Sequence, residues 1–266
     1  MKKEIRYPVI FIAVTLAVSW SFTIVIFSKP ERVQFFPFIM LFPAAIGIIM
    51  NSIRYRSVSK VFKPVTNRIN IRSVLFAFFY PVLFLAITAI VVVLTGFGEF
   101  NSDKLSGLAL YPSLGTIAFG FLLIFGEEYG WRGFLLKELA ATKGKIISAI
   151  IVGLVWAVWH GPAVYELAKL TNMENPALIS IIQMSAVFVF SFPFAYSYFL
   201  TNNILPPMIF HFVWNFYNPL LLGDIYMNKP GIVEGNILYI NGESLAGIIV
   251  GLPFVFWYIY INKSRN

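Results

Sequence analysis

Residues 8–27 read PVIFIAVTLAVSWSFTIVIF, twenty residues without a charge. As a helix rising about 1.5 Å per residue, that run covers roughly 30 Å, the thickness of a bilayer's hydrocarbon core. A helix satisfies its own backbone hydrogen bonds, so it is the form such a run takes in lipid. The run follows a basic head, MKKEIRY, as a secretory signal would. Its apolar stretch is nevertheless too long for a typical signal and has no small-residue cleavage site, so a retained first transmembrane helix is expected.

Working outward, similar windows place helices near residues 7–27, 34–51, 74–96, 114–137, 146–161, 177–200, 204–222 and 245–262. Pro162 and the Pro206–Pro207 pair are expected to cut the fifth and seventh short. With 59% of residues apolar and 12% charged, the reading is an all-α polytopic membrane bundle, one domain over 1–266. Cysteine is absent, which excludes disulfides, thiolate metal sites, Cys nucleophiles and palmitoylation.

The net charge of +8 does not point to nucleic acid, because the basic residues lie between apolar runs. Counted by alternate loops, fourteen fall on one side: Lys2, Lys3, Arg6, Arg54, Arg56, Lys60, Lys63, Arg68, Arg72, Lys137, Lys143, Lys145, Lys263 and Arg265. Five fall on the other: Lys29, Arg32, Lys104, Lys169 and Lys229. Both termini are therefore expected in the cytoplasm, with a bacterial plasma membrane as the setting. The basic segment 51–73 reads as a solvated loop, with a short amphipathic helix on the anionic leaflet as the alternative.

Against this apolar background a few polar groups stand out. Ten of the twelve acidic residues fall in expected loops or tails, whereas Glu127 and Glu128 lie inside LLIFGEEYGWRGFLL. A charge at mid-membrane costs about 2.5–3.5 kcal/mol on insertion scales, so such groups usually face a cavity. Glu128 and Arg132 are four apart, which suits an ion pair within one helix, a structural role. Glu127 points roughly 100° away and needs a partner from another helix. The two histidines of the chain, His160 and His211, both fall in expected spans. Measured along the helical rise from the cytoplasmic ends, Glu127, His160 and His211 lie roughly 15, 22 and 12 Å deep, so they can share one cavity. Asn215, four residues after His211, shares its helix face.

A carboxylate beside a neutral imidazole can activate water as a general base. A second imidazole with an amide beside it can hold an oxyanion. The chemistry expected is peptide-bond hydrolysis without a covalent intermediate and without a required cofactor. As the alternative, Glu127, His160 and His211 could ligate zinc, although an H-E-x-x-H helix is lacking. Buried Glu and His also suit an ion-coupled transporter, but the charges cluster in one half of the chain and no inverted repeat is visible.

At these residues the sequence resembles the CAAX-protease and bacteriocin-processing (CPBP, or Abi) family of intramembrane proteases. The motif E-E-x-x-x-R is matched by Glu127, Glu128 and Arg132, and H-x-x-x-N by His211 and Asn215. F-x-x-x-H is matched at His160, with Trp156 in place of the usual phenylalanine. That swap keeps bulk and π surface and is expected to alter the pocket wall only. The resemblance covers roughly 114–220 and implies a helical bundle of about eight spans. It also implies Glu127 with His160 as water activator, His211 with Asn215 as oxyanion stabiliser, and a substrate at the membrane, lipidated or not. A metal is disputed in the family. Its members include bacteriocin-immunity proteins, so a catalytically idle scaffold is the alternative function.

Overall fold

The uncharged runs do form helices. The computed structural model describes residues 3–109 and 113–263; Lys2 and Arg265 of the charge count lie outside them. The first helix, α1, is Lys3–Phe27. A 3₁₀ helix, Pro30–Leu41, leads into α2, Phe42–Tyr55. Two single turns follow, α3 (Val58–Val61) and α4 (Lys63–Thr66), before α5, Ile71–Leu94. A strand β1, Gly98–Phe100, and a 3₁₀ helix, Ser102–Ala109, precede α6, Leu114–Glu128. A π-helix, Tyr129–Leu136, joins α6 to α7, Lys137–Leu170. Next come α8, Pro176–Phe199, and α9, Leu205–Leu222. Strand β2 (Val233–Gly235), a turn α10 (Ile237–Ile240) and α11 (Leu245–Lys263) complete the order.

Among the described residues six helical stretches are long and apolar enough to cross a membrane, against the eight expected. Together they make a multi-pass integral membrane protein. One stretch, Leu114–Leu170, holds 57 residues, roughly 86 Å if straight and far more than one crossing. It turns at Gly144, whose φ of 76° and ψ of 172° are open to glycine and costly for other residues. The other difference is α9, whose 18 residues include three prolines, His211 and two asparagines.

Pro162 does not end its helix at 161, as expected; α7 runs on to Leu170. The Ser180 hydroxyl of α8 donates to the Gly161 carbonyl at 2.8 Å, a neighbouring-helix contact that helps satisfy backbone disturbed by the proline. Pro206 and Pro207 stand at the first positions of α9, where their missing N–H groups cost little.

The 51–73 segment forms neither a free loop nor one amphipathic helix. It is broken into two turns and tied to the bundle, with the Pro64 carbonyl accepting from the Ile204 N–H at 2.8 Å and the Val61 carbonyl from the Tyr129 hydroxyl at 2.7 Å. Arg54 pairs with Glu138 across helices. The start of α1 is near this end, where Tyr7 lies beneath Arg54, and the end of α11 is near it too, where Tyr258 donates to the Lys145 carbonyl. At the opposite end β1 and β2 pair antiparallel, Glu99 facing Glu234, and Lys104 bridges to Glu234 at 2.8 Å.

Burial separates inner from outer helices. The most apolar window of α8 is 61% buried, whereas that of α1 is 28% buried, so α1 turns residues such as Ile24 outward to lipid. Next to Glu127, Gly126 and Gly130 lie one helical turn apart on the face packed against Met40–Pro43. A Cβ at either would collide with that backbone. Their lack of side chains brings the charged turn into the centre of the bundle.

Candidate active site

The polar residues picked out in sequence converge from three directions. Glu127 and Glu128 end α6, Arg132 lies in the π-helix, Trp156 and His160 are on α7, and His211 and Asn215 are on α9. A cavity of about 290 Å³ is lined by Glu127, Trp156, His160, His211 and Asn215 together. Glu128 and Arg132 are fully buried behind it. A π-helical turn is uncommon and recurs at functional positions, and here it carries Arg132.

Glu128 and Arg132 form the ion pair expected, at 2.9 Å, and both are inaccessible to solvent. The same carboxylate oxygen, Oε1, also meets His211 Nδ1 at 2.8 Å. Glu128 thereby links the ion pair to a cavity histidine, a connection between distant helices that spacing along the chain does not give. Arg132 packs against two aromatic rings, with its guanidinium carbon 4.0 Å from the Trp156 ring centre and 4.3 Å from that of Phe194. Such cation–π contacts suit a desolvated guanidinium.

Glu127 does find its partner on another helix, and that partner is Trp156. The indole Nε1 donates to Glu127 Oε2 at 2.8 Å, and the Trp156 carbonyl faces His160 Nδ1 at 2.8 Å. The residue that departs from the family motif is thus more than pocket wall, because phenylalanine has no N–H to offer. With each Nδ1 occupied by an acceptor, each imidazole has Nε2 left for other work. Asn215 lines the cavity with its side chain exposed.

Residues 109–217 match the family model described as type II CAAX prenyl endopeptidase Rce1-like. The match spans 109 of the 266 residues, and over that segment the chain is similar to the CAAX-protease family. Among curated proteins, none matches it. The matched CAAX-protease segment covers α6, the π-helix, α7, α8 and most of α9, and so contains all seven residues picked out above. Residues beyond it also reach the cavity.

Those residues escaped the sequence reading. Asp224, Tyr226 and Glu243 line the same cavity from the segment after α9. In sequence they are loop carboxylates and a tyrosine, with no periodicity to mark them. Glu243 is 8% exposed and takes hydrogen bonds from Tyr226 Oη (2.8 Å), Trp214 Nε1 (2.9 Å) and Gln183 Nε2 (3.1 Å). Burial first, and then the Glu243 carboxylate, push the Tyr226 hydroxyl well above its ordinary range, so it stays a donor. Burial also raises Asp224, against the N–H groups of Met227 and Tyr226 that favour its charged form. Glu138, another carboxylate expected in a loop, is buried inside α7 against Arg54.

Zinc was the alternative use of Glu127, His160 and His211. Free Nε2 atoms with occupied Nδ1 atoms are what metal-binding histidines present. Among the described residues, however, no three His, Cys, Asp or Glu side chains are grouped to hold a metal ion. The arrangement does not fit a three-ligand site, and no step below passes through a metal.

Proposed function

We propose that the protein is an intramembrane endopeptidase that hydrolyses a peptide bond of a membrane-associated substrate with water activated by Glu127 and His160. The observation that carries this reading is the shared cavity, where a carboxylate, two imidazoles with Nε2 available and an amide converge within an apolar bundle. A proteolytic role agrees with the family match of the same segment.

Trp156 holds one oxygen of Glu127, and the other is left for a water in the cavity. His160, donating from Nδ1 to the Trp156 carbonyl, keeps a lone pair on Nε2 beside that water. Between them the two groups take one proton from the water as its oxygen attacks the carbonyl carbon, and they return it to the amide nitrogen as the tetrahedral intermediate collapses and the C–N bond breaks. His211 gives Nδ1–H to Glu128, which orients the ring with Nε2 toward the tetrahedral oxyanion, and the Asn215 amide stands as a donor beside it.

The test is cleavage of membrane-anchored peptides by the full chain in liposomes, comparing wild type with Glu127→Gln. Turnover is expected to fall about 100-fold or more. Chelation is expected to leave most of the wild-type activity. Stoichiometric zinc lost in His160→Ala, with activity restored by added metal, would make the three residues ligands. Equal turnover in wild type and Glu127→Gln would point to an idle scaffold.

A further inference from the structure

The cavity does not end at the proposed catalytic groups. Beyond His211 it continues to Asp224, Tyr226 and Glu243, so carboxylates stand at both of its poles, and its lining includes neither Lys nor Arg. Glu243 has three neutral donors and no ion-pair partner among the described residues. Gln183, wholly buried, reaches into the same cluster. Its Nε2 donates to Glu243 and to Tyr226 Oη at 3.1 Å each, while its Oε1 has no hydrogen-bond partner among the described residues. A buried carboxylate without a counter-charge, next to an unmet amide oxygen, is costly unless a cation is to be received there. The same lining includes Trp159, Phe190 and, at the Glu243 pole, Trp214, aromatic groups suited to a cation and its aliphatic stem.

We propose that the Glu243 pole is a substrate subsite for a cationic side chain, a lysine or arginine, of the peptide being cleaved. This rests on the endopeptidase reading and names a substrate class for it. A metal ion is the other source of positive charge. It suits the pole poorly, because no three metal-ligating side chains are grouped there and much of the wall is indole and phenyl. Spacing follows from α9. Trp214 and Asn218, which mark the pole, are three and seven residues past His211, roughly 4.5–10.5 Å along the helix. An extended peptide advances about 3.3–3.6 Å per residue, so the cationic residue lies about one to three positions from the scissile bond.

The experiment uses the full chain in liposomes and a membrane-anchored peptide series, identical except for one position near the cut. That position holds lysine, norleucine or glutamate and is moved through three residues on either side. At one or more positions lysine is expected to raise kcat/KM about tenfold or more over norleucine, with glutamate below both. In Glu243→Gln the lysine-to-norleucine ratio is expected to fall to about 1. Equal ratios in wild type at every position would overturn the subsite, whether or not the variant folds.

A second arm measures peptide binding to Glu127→Gln protein, which needs no turnover. A tenfold preference for lysine there, with no cleavage by wild type, would remove the peptidase reading and keep the subsite. Efficient cleavage without preference would do the reverse. Displacement of the lysine peptide by zinc or calcium alone at micromolar concentration, lost in Glu243→Gln, would make the pole a metal site and overturn the assignment.

Discussion

Glu127 and Glu128 are chain neighbours with separate surroundings. Glu127 lines the cavity and is held by a neutral indole, whereas Glu128 is sealed behind it between Arg132 and His211. Glu127→Gln keeps an acceptor for Trp156 and is expected to leave thermal stability nearly unchanged. Glu128→Gln leaves Arg132 as a buried unpaired charge and is expected to cost about 3–5 kcal/mol, read as a fall in the apparent melting temperature in detergent. Equal losses in the two variants would dissolve the distinction. Trp156→Phe makes a further test, since it restores the family's usual residue while deleting the hydrogen bond to Glu127. A hydrogen bond to a charged group contributes about 1.5–3 kcal/mol, so kcat is expected to drop roughly tenfold or more with KM little moved. An unchanged kcat would return Trp156 to the wall-only role that its bulk alone suggests.

Among the elements, the α6 to π-helix unit decides where the charges sit. Gly126 and Gly130 let it approach the Met40–Pro43 backbone, closer than any side chain permits. Gly126→Ala is expected to destabilise the protein by about 1–3 kcal/mol and to lower turnover, because relieving the clash moves Glu127 with its helix. Wild-type stability in that variant would mean that the contact yields without cost. Helix α7 illustrates a different balance. Proline is a strong local breaker, yet α7 continues for eight residues beyond Pro162, packed along α8. Local propensity sets a cost and tertiary packing decides whether it is borne.

At the scale of the whole molecule, the two ends of the bundle are chemically unlike. The segments at 54–68, 137–145 and 200–204 gather at one end, joined by Arg54–Glu138 and by Asn67 donating to the Asn202 carbonyl at 2.6 Å. The β1–β2 ribbon and the Glu243 segment lie at the other. Most of the lysines and arginines belong to the first end, so the loop-charge rule gives the expectation that this end faces the cytoplasm. In a chain without cysteine, a cysteine placed at Ser57 should label only from the cytoplasmic side and one at Ser102 only from the opposite side. Reversed labelling would invert the orientation and, with it, the side from which the Glu243 pole is reached.

By itself the sequence determined the helical membrane class and the positions of most helices, and it singled out seven residues, five of which line one cavity. The reason is physical: long uncharged runs have few stable alternatives in lipid, and charges inside them are too costly to be incidental. Glu128 and Arg132 could be paired from spacing because both lie on one helix. Only the tertiary structure decided that Glu128 also meets His211, that Trp156 holds Glu127, and that Glu243, distant in sequence, closes the same cavity. Each of these contacts joins separate elements, and their distances depend on how helices cross and on where loops fold back. Helical periodicity describes the face a residue occupies on its own helix and carries no information about the neighbour that face will meet.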